Sequence, residues 1–118
     1  VVLDAGMNDL MRPALYGALH GIVPVAAADA AGAPLPAEAV GPVCESSDRF
    51  GSYELPDLAP GALVALLDAG AYGATMSSTY NGRPLAAQVM IADGAPQLIR
   101  RRQALDDLWR DEIVPQRR

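Results

Sequence analysis

The chain has 118 residues, a length that predicts one domain, and 51% of them are apolar. Twenty-two are Ala, however, and only one Phe and one Trp stand beside 14 Leu and 9 Val, so the core is thin for the length. All nine basic residues are Arg, so the chain cannot form a lysine Schiff base or carry a phosphate-loop lysine. One Cys (Cys44) and one His (His20) exclude a structural zinc site or a disulfide built within one chain. A lone thiol fits a reducing, cytoplasmic compartment. Residues 1–99 carry three Arg against ten acidic residues, and residues 100–118 carry six against four. A mostly acidic surface repels phosphate backbones and argues against nucleic acid as a partner. The apolar run at 62–67 stops at Asp68, far short of the ~20 residues of a membrane span, so no membrane partner is expected.

In chain order, residues 1–5 read as a short buried strand closed by Gly6. An apolar opening without Met predicts that a longer protein precedes it. Asn8 or Asp9 could cap a short helix running to about Tyr16, with Pro13 in its first turn. Residues 19–25 are extended in character. Residues 26–39, rich in Ala, Pro and Gly with no period, predict a surface loop. A strand over 40–44 and a polar loop over 46–51 follow. Pro56 and Pro60-Gly61 bracket a turn before residues 62–67, a β run or a buried helical segment. Asn81-Gly82 is a turn, and residues 86–91 and 96–101 form a hairpin about Asp93-Gly94. Residues 104–114 predict an amphipathic helix with Leu105, Leu108, Trp109 and Ile113 on one face. The Arg100–Arg102 run reads as a solvated strand end or helix approach. Together these elements predict a mainly-β fold. It would be a small closed or partly open Greek-key β-barrel with a short early helix and a C-terminal helix.

Several polar residues could carry chemistry. Arg12 and Tyr16 lie four apart and would share a helix face, a fork beside a phenol that suits a carboxylate. The plainer alternative pairs Arg12 with Asp9 at the surface. Cys44 precedes Glu45; a carboxylate beside a thiol disfavours the thiolate, which suits a proton donor better than a nucleophile. It could equally be a small buried hydrophobe. Tyr72 lies in a Gly-, Ser- and Thr-rich turn over 68–80, where backbone can approach a ligand or simply reverse direction. His20 reads as a structural histidine with its hydrogen bonds satisfied.

Four strings, DAGMNDLMRPALYGALH (4–20), GPVCESSD (41–48), DAGAYGATMSSTYNGRP (68–84) and IRRRQALDDLW (99–109), closely resemble the C-terminal domain of the diaminopimelate decarboxylase family. The likeness covers nearly the whole chain apart from residues 26–39. The family often has Gly where this chain has Ser47, so a slightly altered loop is expected. The resemblance implies pyridoxal-phosphate enzymes of the alanine-racemase-like fold type, with an N-terminal (β/α)₈ barrel that carries the Schiff-base lysine. Residues 1–118 would then be the β-barrel half of a homodimeric enzyme whose site lies between protomers. It also implies Cys44 as proton donor in the partner protomer's site and Arg12, Tyr16, Glu45 and Tyr72 as substrate contacts. Tyr72 would touch the cofactor as well. The reaction implied is decarboxylation of meso-2,6-diaminopimelate to L-lysine. Two alternatives stand beside it: a sister decarboxylase of ornithine, arginine or carboxylated polyamines, and a non-catalytic β-barrel derived from such an enzyme.

Overall fold

A computed structural model of the chain describes residues 1–30 and 32–116. They divide into two compact units, Val1–Ser77 and Ser78–Arg118. The content is mainly β: six short strands form three two-stranded antiparallel ladders, with no closed barrel among them in the described residues.

In the first unit, β1 (Ile22–Pro24) pairs with β4 (Val64–Leu66), and β2 (Leu35–Val40) pairs with β3 (Arg49–Leu55). The second ladder corrects three expectations. The last five residues of the supposed loop at 26–39 belong to strand β2, residues 41–44 are loop rather than strand, and β3 starts inside the supposed loop at 46–51. Pro36 misled because it lacks the N–H that a central strand needs, yet it is tolerated in a strand paired to one neighbour. Alternation resumes where packing demands it: Ala39 is fully buried, opposite Gly51. A register shift between Ala39 and Val40 leaves Phe50 as the extra residue of a bulge. Gly51 takes φ 129° there, and a Cβ on it would stand 3.1 Å from Leu19 Cδ1. Residues 1–5 do not form the expected strand. Val1 and Val2 are exposed, and Val2 makes only an isolated parallel bridge to Val40.

Leu10, Ile22, Ala39, Phe50 and Leu55 form the core of this unit, with Leu3, Tyr53, Val64 and Leu66 packed against it. The Tyr53 hydroxyl lies 2.9 Å from His20 O and 3.0 Å from Phe50 O, joining β3 to the chain before β1. His20 is buried and its Nδ1 meets Leu67 O at 3.0 Å. Its Nε2 has no partner among the described residues, so the ring is structural but only half satisfied.

The second unit holds the hairpin. Strand β5 (Gln88–Ala92) pairs with β6 (Ala95–Arg100). Both turn residues have positive φ (Asp93 51°, Gly94 75°), the handedness that matches strand twist. The expected C-terminal helix over 104–114 is absent; only a 3₁₀ turn, Leu105–Leu108, forms. Its Asp107 accepts from Ala104 N at 2.8 Å and from both Arg101 amino groups at 2.6 and 2.9 Å. Arg110 also bonds Asp107, at 2.6 Å. Arg101 is therefore solvated, as expected, and also part of a local ion-pair knot. Ile113 and Val114 are almost wholly exposed, so no packing rewards continuing the helix.

Candidate functional site

The segment 6–17 is built to present Arg12. Asp9 does not cap the helix: its carboxylate turns back to accept from Gly6 N at 2.9 Å, and Asn8 is fully buried. The helix is shorter than expected, α1 (Arg12–Tyr16), with Met11 at its N-cap and Pro13 in its first turn. Gly17 ends it at φ 64°. Its N–H returns to Pro13 O at 2.9 Å and that of Ala18 to Arg12 O at 3.4 Å. With Asp9 committed to Gly6, Arg12 has no carboxylate partner among the described residues. Its guanidinium instead stands 5.8 Å from the centre of the Tyr72 ring, within cation–π range. Tyr16, at the other end of α1, is exposed.

Tyr72 owes its position to an irregular backbone. It lies within α2 (Gly70–Met76), where Ala71 is extended and Tyr72 is left-handed at φ 64°. A bulky aromatic seldom adopts that conformation. Gly73, the next residue, is buried, and a Cβ there would stand 3.8 Å from Leu10 Cδ1. The chain is thus seated on the core at Gly73 while the Tyr72 ring remains two-thirds exposed beside Arg12.

Cys44 and Glu45 are both exposed in a loop over 41–48. The buried-hydrophobe alternative for Cys44 is therefore set aside. Gly41 N bonds Asp48 O at 3.0 Å and closes the loop at its base. The Glu45 carboxylate accepts from Ser46 Oγ at 3.2 Å and Ser47 N at 3.3 Å. The Ser47 N–H bond, with help from Ser46, holds the Glu45 carboxyl below its usual range, so it stays ionised at neutral pH. Ser47 takes no left-handed backbone, so its position does not require Gly. Its hydroxyl reaches Met7 Sδ at 3.7 Å.

The structure thus joins Arg12 with Tyr72 and displays Cys44 with Glu45. An apolar hollow of about 520 Å³ in the same unit, between residues 1–5 and 58–66, is lined by none of the five candidates. Asp48, three residues beyond Glu45, was overlooked in the sequence. It is buried, and both its carboxylate oxygens bond to backbone N–H groups of separate segments. A signal was available: an acidic residue closing a short Gly-Pro-initiated loop is a candidate for such bonding.

The fold is one of small antiparallel ladders that present a cation, two phenols, a thiol and a carboxylate outside the apolar hollow. The model of the pyridoxal-dependent decarboxylase C-terminal sheet domain matches residues 1–70, and the chain belongs to that family. It is 46% identical over 117 residues to a diaminopimelate decarboxylase of Helicobacter pylori, covering 96% of this chain and 28% of that protein. To one from Zymomonas mobilis it is 48% identical, covering 95% of this chain and 26% of the other. A crystal structure of the H. pylori enzyme complexed with L-lysine matches with TM-score 0.87 at 46% identity, covering 95% of this chain and 27% of that one. The M. jannaschii enzyme in co-complex with L-lysine matches with TM-score 0.90 at 40% identity, covering 98% and 26%. The chain therefore spans little more than a quarter of the length of these relatives. The residues present fit a pyridoxal cofactor only as outer contacts: the chain has no lysine to anchor it, and exposed aromatic rings such as Tyr72 offer it a face.

Proposed function

We propose that residues 1–118 are the C-terminal domain of a diaminopimelate decarboxylase, which releases CO2 from meso-2,6-diaminopimelate to give L-lysine. The observation that carries this reading is Arg12. Its guanidinium is backed by an aromatic ring and unclaimed by any carboxylate of the described residues. A carboxylate on the far end of a substrate answers it bidentately; ornithine and arginine have none to offer there. Tyr16, four residues along the same helix, donates its phenol to that carboxylate. Glu45, kept ionised by its serine neighbours, pairs with the remote ammonium. The Cys44 thiol delivers a proton to the carbon that has lost CO2. Pyridoxal phosphate, when bound, supplies the electron sink for that loss. Tyr72 would lie against it, and the covalent anchor would come from an N-terminal (β/α)₈ barrel of the same protein.

In this reading the ladders contribute to a closed or partly open Greek-key barrel. The enzyme is a cytoplasmic homodimer, and Cys44 and Glu45 reach into the site of the second protomer. A lone cysteine that cannot be paired within the chain supports the compartment. The test is a substrate panel on the full-length enzyme. Meso-diaminopimelate should be decarboxylated with a far larger kcat/KM than ornithine, arginine or a carboxylated polyamine. A preference for any of those three, or no decarboxylation at all, would overturn the reading.

A further inference from the structure

Asp48 is only 3% exposed, and its N–H donates to Glu45 O at 3.0 Å while its carboxylate reaches further. Its Oδ1 accepts from Met7 N at 2.7 Å and its Oδ2 from Val43 N at 2.6 Å. Met7 opens the segment that becomes α1 and carries Arg12; Val43 is the residue before Cys44. One carboxylate thus clips the Arg12 segment to the Cys44–Glu45 loop. The surroundings are shaped for it. A Cβ on Gly41 would overlap both Asp48 carboxylate oxygens, and one on Gly6 would stand 2.8 Å from Val43 Cγ2. Two glycines thus let the two segments and the carboxylate close on one another. Buried charge-assisted bonds to N–H groups are short and directional, so they fix geometry more tightly than a neutral side chain would.

We propose that Asp48 is a positioning residue: by bonding both segments it sets where the Cys44 thiol and the Glu45 carboxylate stand relative to the segment that carries Arg12. This role rests on the reading of those three residues as the substrate-facing set. Asparagine at position 48 has one acceptor oxygen, so one of the two N–H groups would face an NH2 group instead. A misplacement of about 1 Å at a reacting group can cost about 10²-fold in rate.

The test uses the full-length, cofactor-loaded enzyme and compares Asp48→Asn with Gly41→Ala, which keeps the carboxylate but pushes it aside. Turnover is counted per bound cofactor, so that unfolded protein does not enter. In parallel, the rate of Cys44 alkylation by iodoacetamide is followed by peptide mass spectrometry. In both variants kcat should fall about 10²-fold while cofactor absorbance is retained, and Cys44 should be alkylated several-fold faster. A merely structural role would lower Tm and yield but leave turnover per bound cofactor and thiol reactivity unchanged; that result overturns the proposal. So does a loss of turnover without any change at Cys44. Should Asp48→Asn fail to fold, Gly41→Ala decides by the same criteria. Should the wild-type enzyme ignore meso-diaminopimelate, the functional reading fails, while the alkylation rates still judge the clip.

Discussion

An aromatic residue held at φ 64° costs on the order of 1–3 kcal/mol, and Tyr72 keeps that conformation with its ring in solvent. Nothing in the burial of Tyr72 itself repays the strain; what it gains locally is the position over Arg12. Arg12 and Glu45 are likewise charged groups at the surface of the first unit rather than in its core. In the full-length enzyme, Arg12→Ala and Glu45→Ala should each lower kcat/KM for meso-diaminopimelate by about 2–4 kcal/mol, as for a charge-assisted bond lost in a site. Thermal melting of the same variants should barely shift. A variant that unfolds while its surviving molecules turn over normally would make that residue structural. The sequence made part of this legible. Arg12 and Tyr16 share one short helix, and that spacing is local. The Arg12–Tyr72 contact spans sixty residues of chain and exists only after folding. Asp48 stayed hidden because it acts on backbone N–H groups, which every residue but proline carries and no motif displays.

Elements were legible where the code is local and lost where neighbours decide. Asp93-Gly94 suits two consecutive positive-φ positions, so the β5–β6 hairpin could be read directly. The supposed C-terminal helix had the right period, but an amphipathic face forms a helix only against something that buries it. Here Asp107 collects Arg101, Arg110 and the Ala104 N–H into a single turn. Those bonds, Arg101 foremost, hold the Asp107 carboxyl far below its usual range. A depressed carboxyl contributes stability that is complete above its unfolded value of ~3.9 and fades as pH falls through the folded one. The protection of the Ala104 and Asp107 amides, taken relative to intrinsic exchange at each pH, should therefore hold at neutral pH and fall selectively in strong acid; Asp107→Asn should lower it at every pH. Strand β2 was lost because Ala and Pro look like loop, yet Ala39 has no exposed surface at all. Ala39→Leu should overpack the core against Phe50 and Leu55 and cost about 1–3 kcal/mol, read as a lower Tm. An unchanged Tm would mean the β2–β3 ladder can open to admit three more carbons.

At the scale of the whole enzyme, the proposed function has the lysine-free chain and its exposed Cys44 share the labour with other parts of a larger assembly. If the thiol serves the other protomer, Cys44→Ala homodimers should lose about 10²–10⁴-fold in turnover, the range for a positioned acid. Mixing them with homodimers that lack the anchoring lysine should restore part of the activity, because a two-fold hybrid regains one complete site. No recovery from dimers proven to be mixed would place the thiol in its own protomer's site or outside the chemistry.

The β5–β6 hairpin carries a consequence for how such a protein is made. Val89, Met90 and Ile91 on one strand and Leu98 and Ile99 on the other are all substantially exposed, and a two-stranded ladder has two unpaired edges. Short β-branched, uncharged segments with open edges are templates for intermolecular pairing. During synthesis this hairpin is sticky wherever no other surface covers it. A polypeptide with these strands open is exposed to aggregation, and they are what a chaperone would hold.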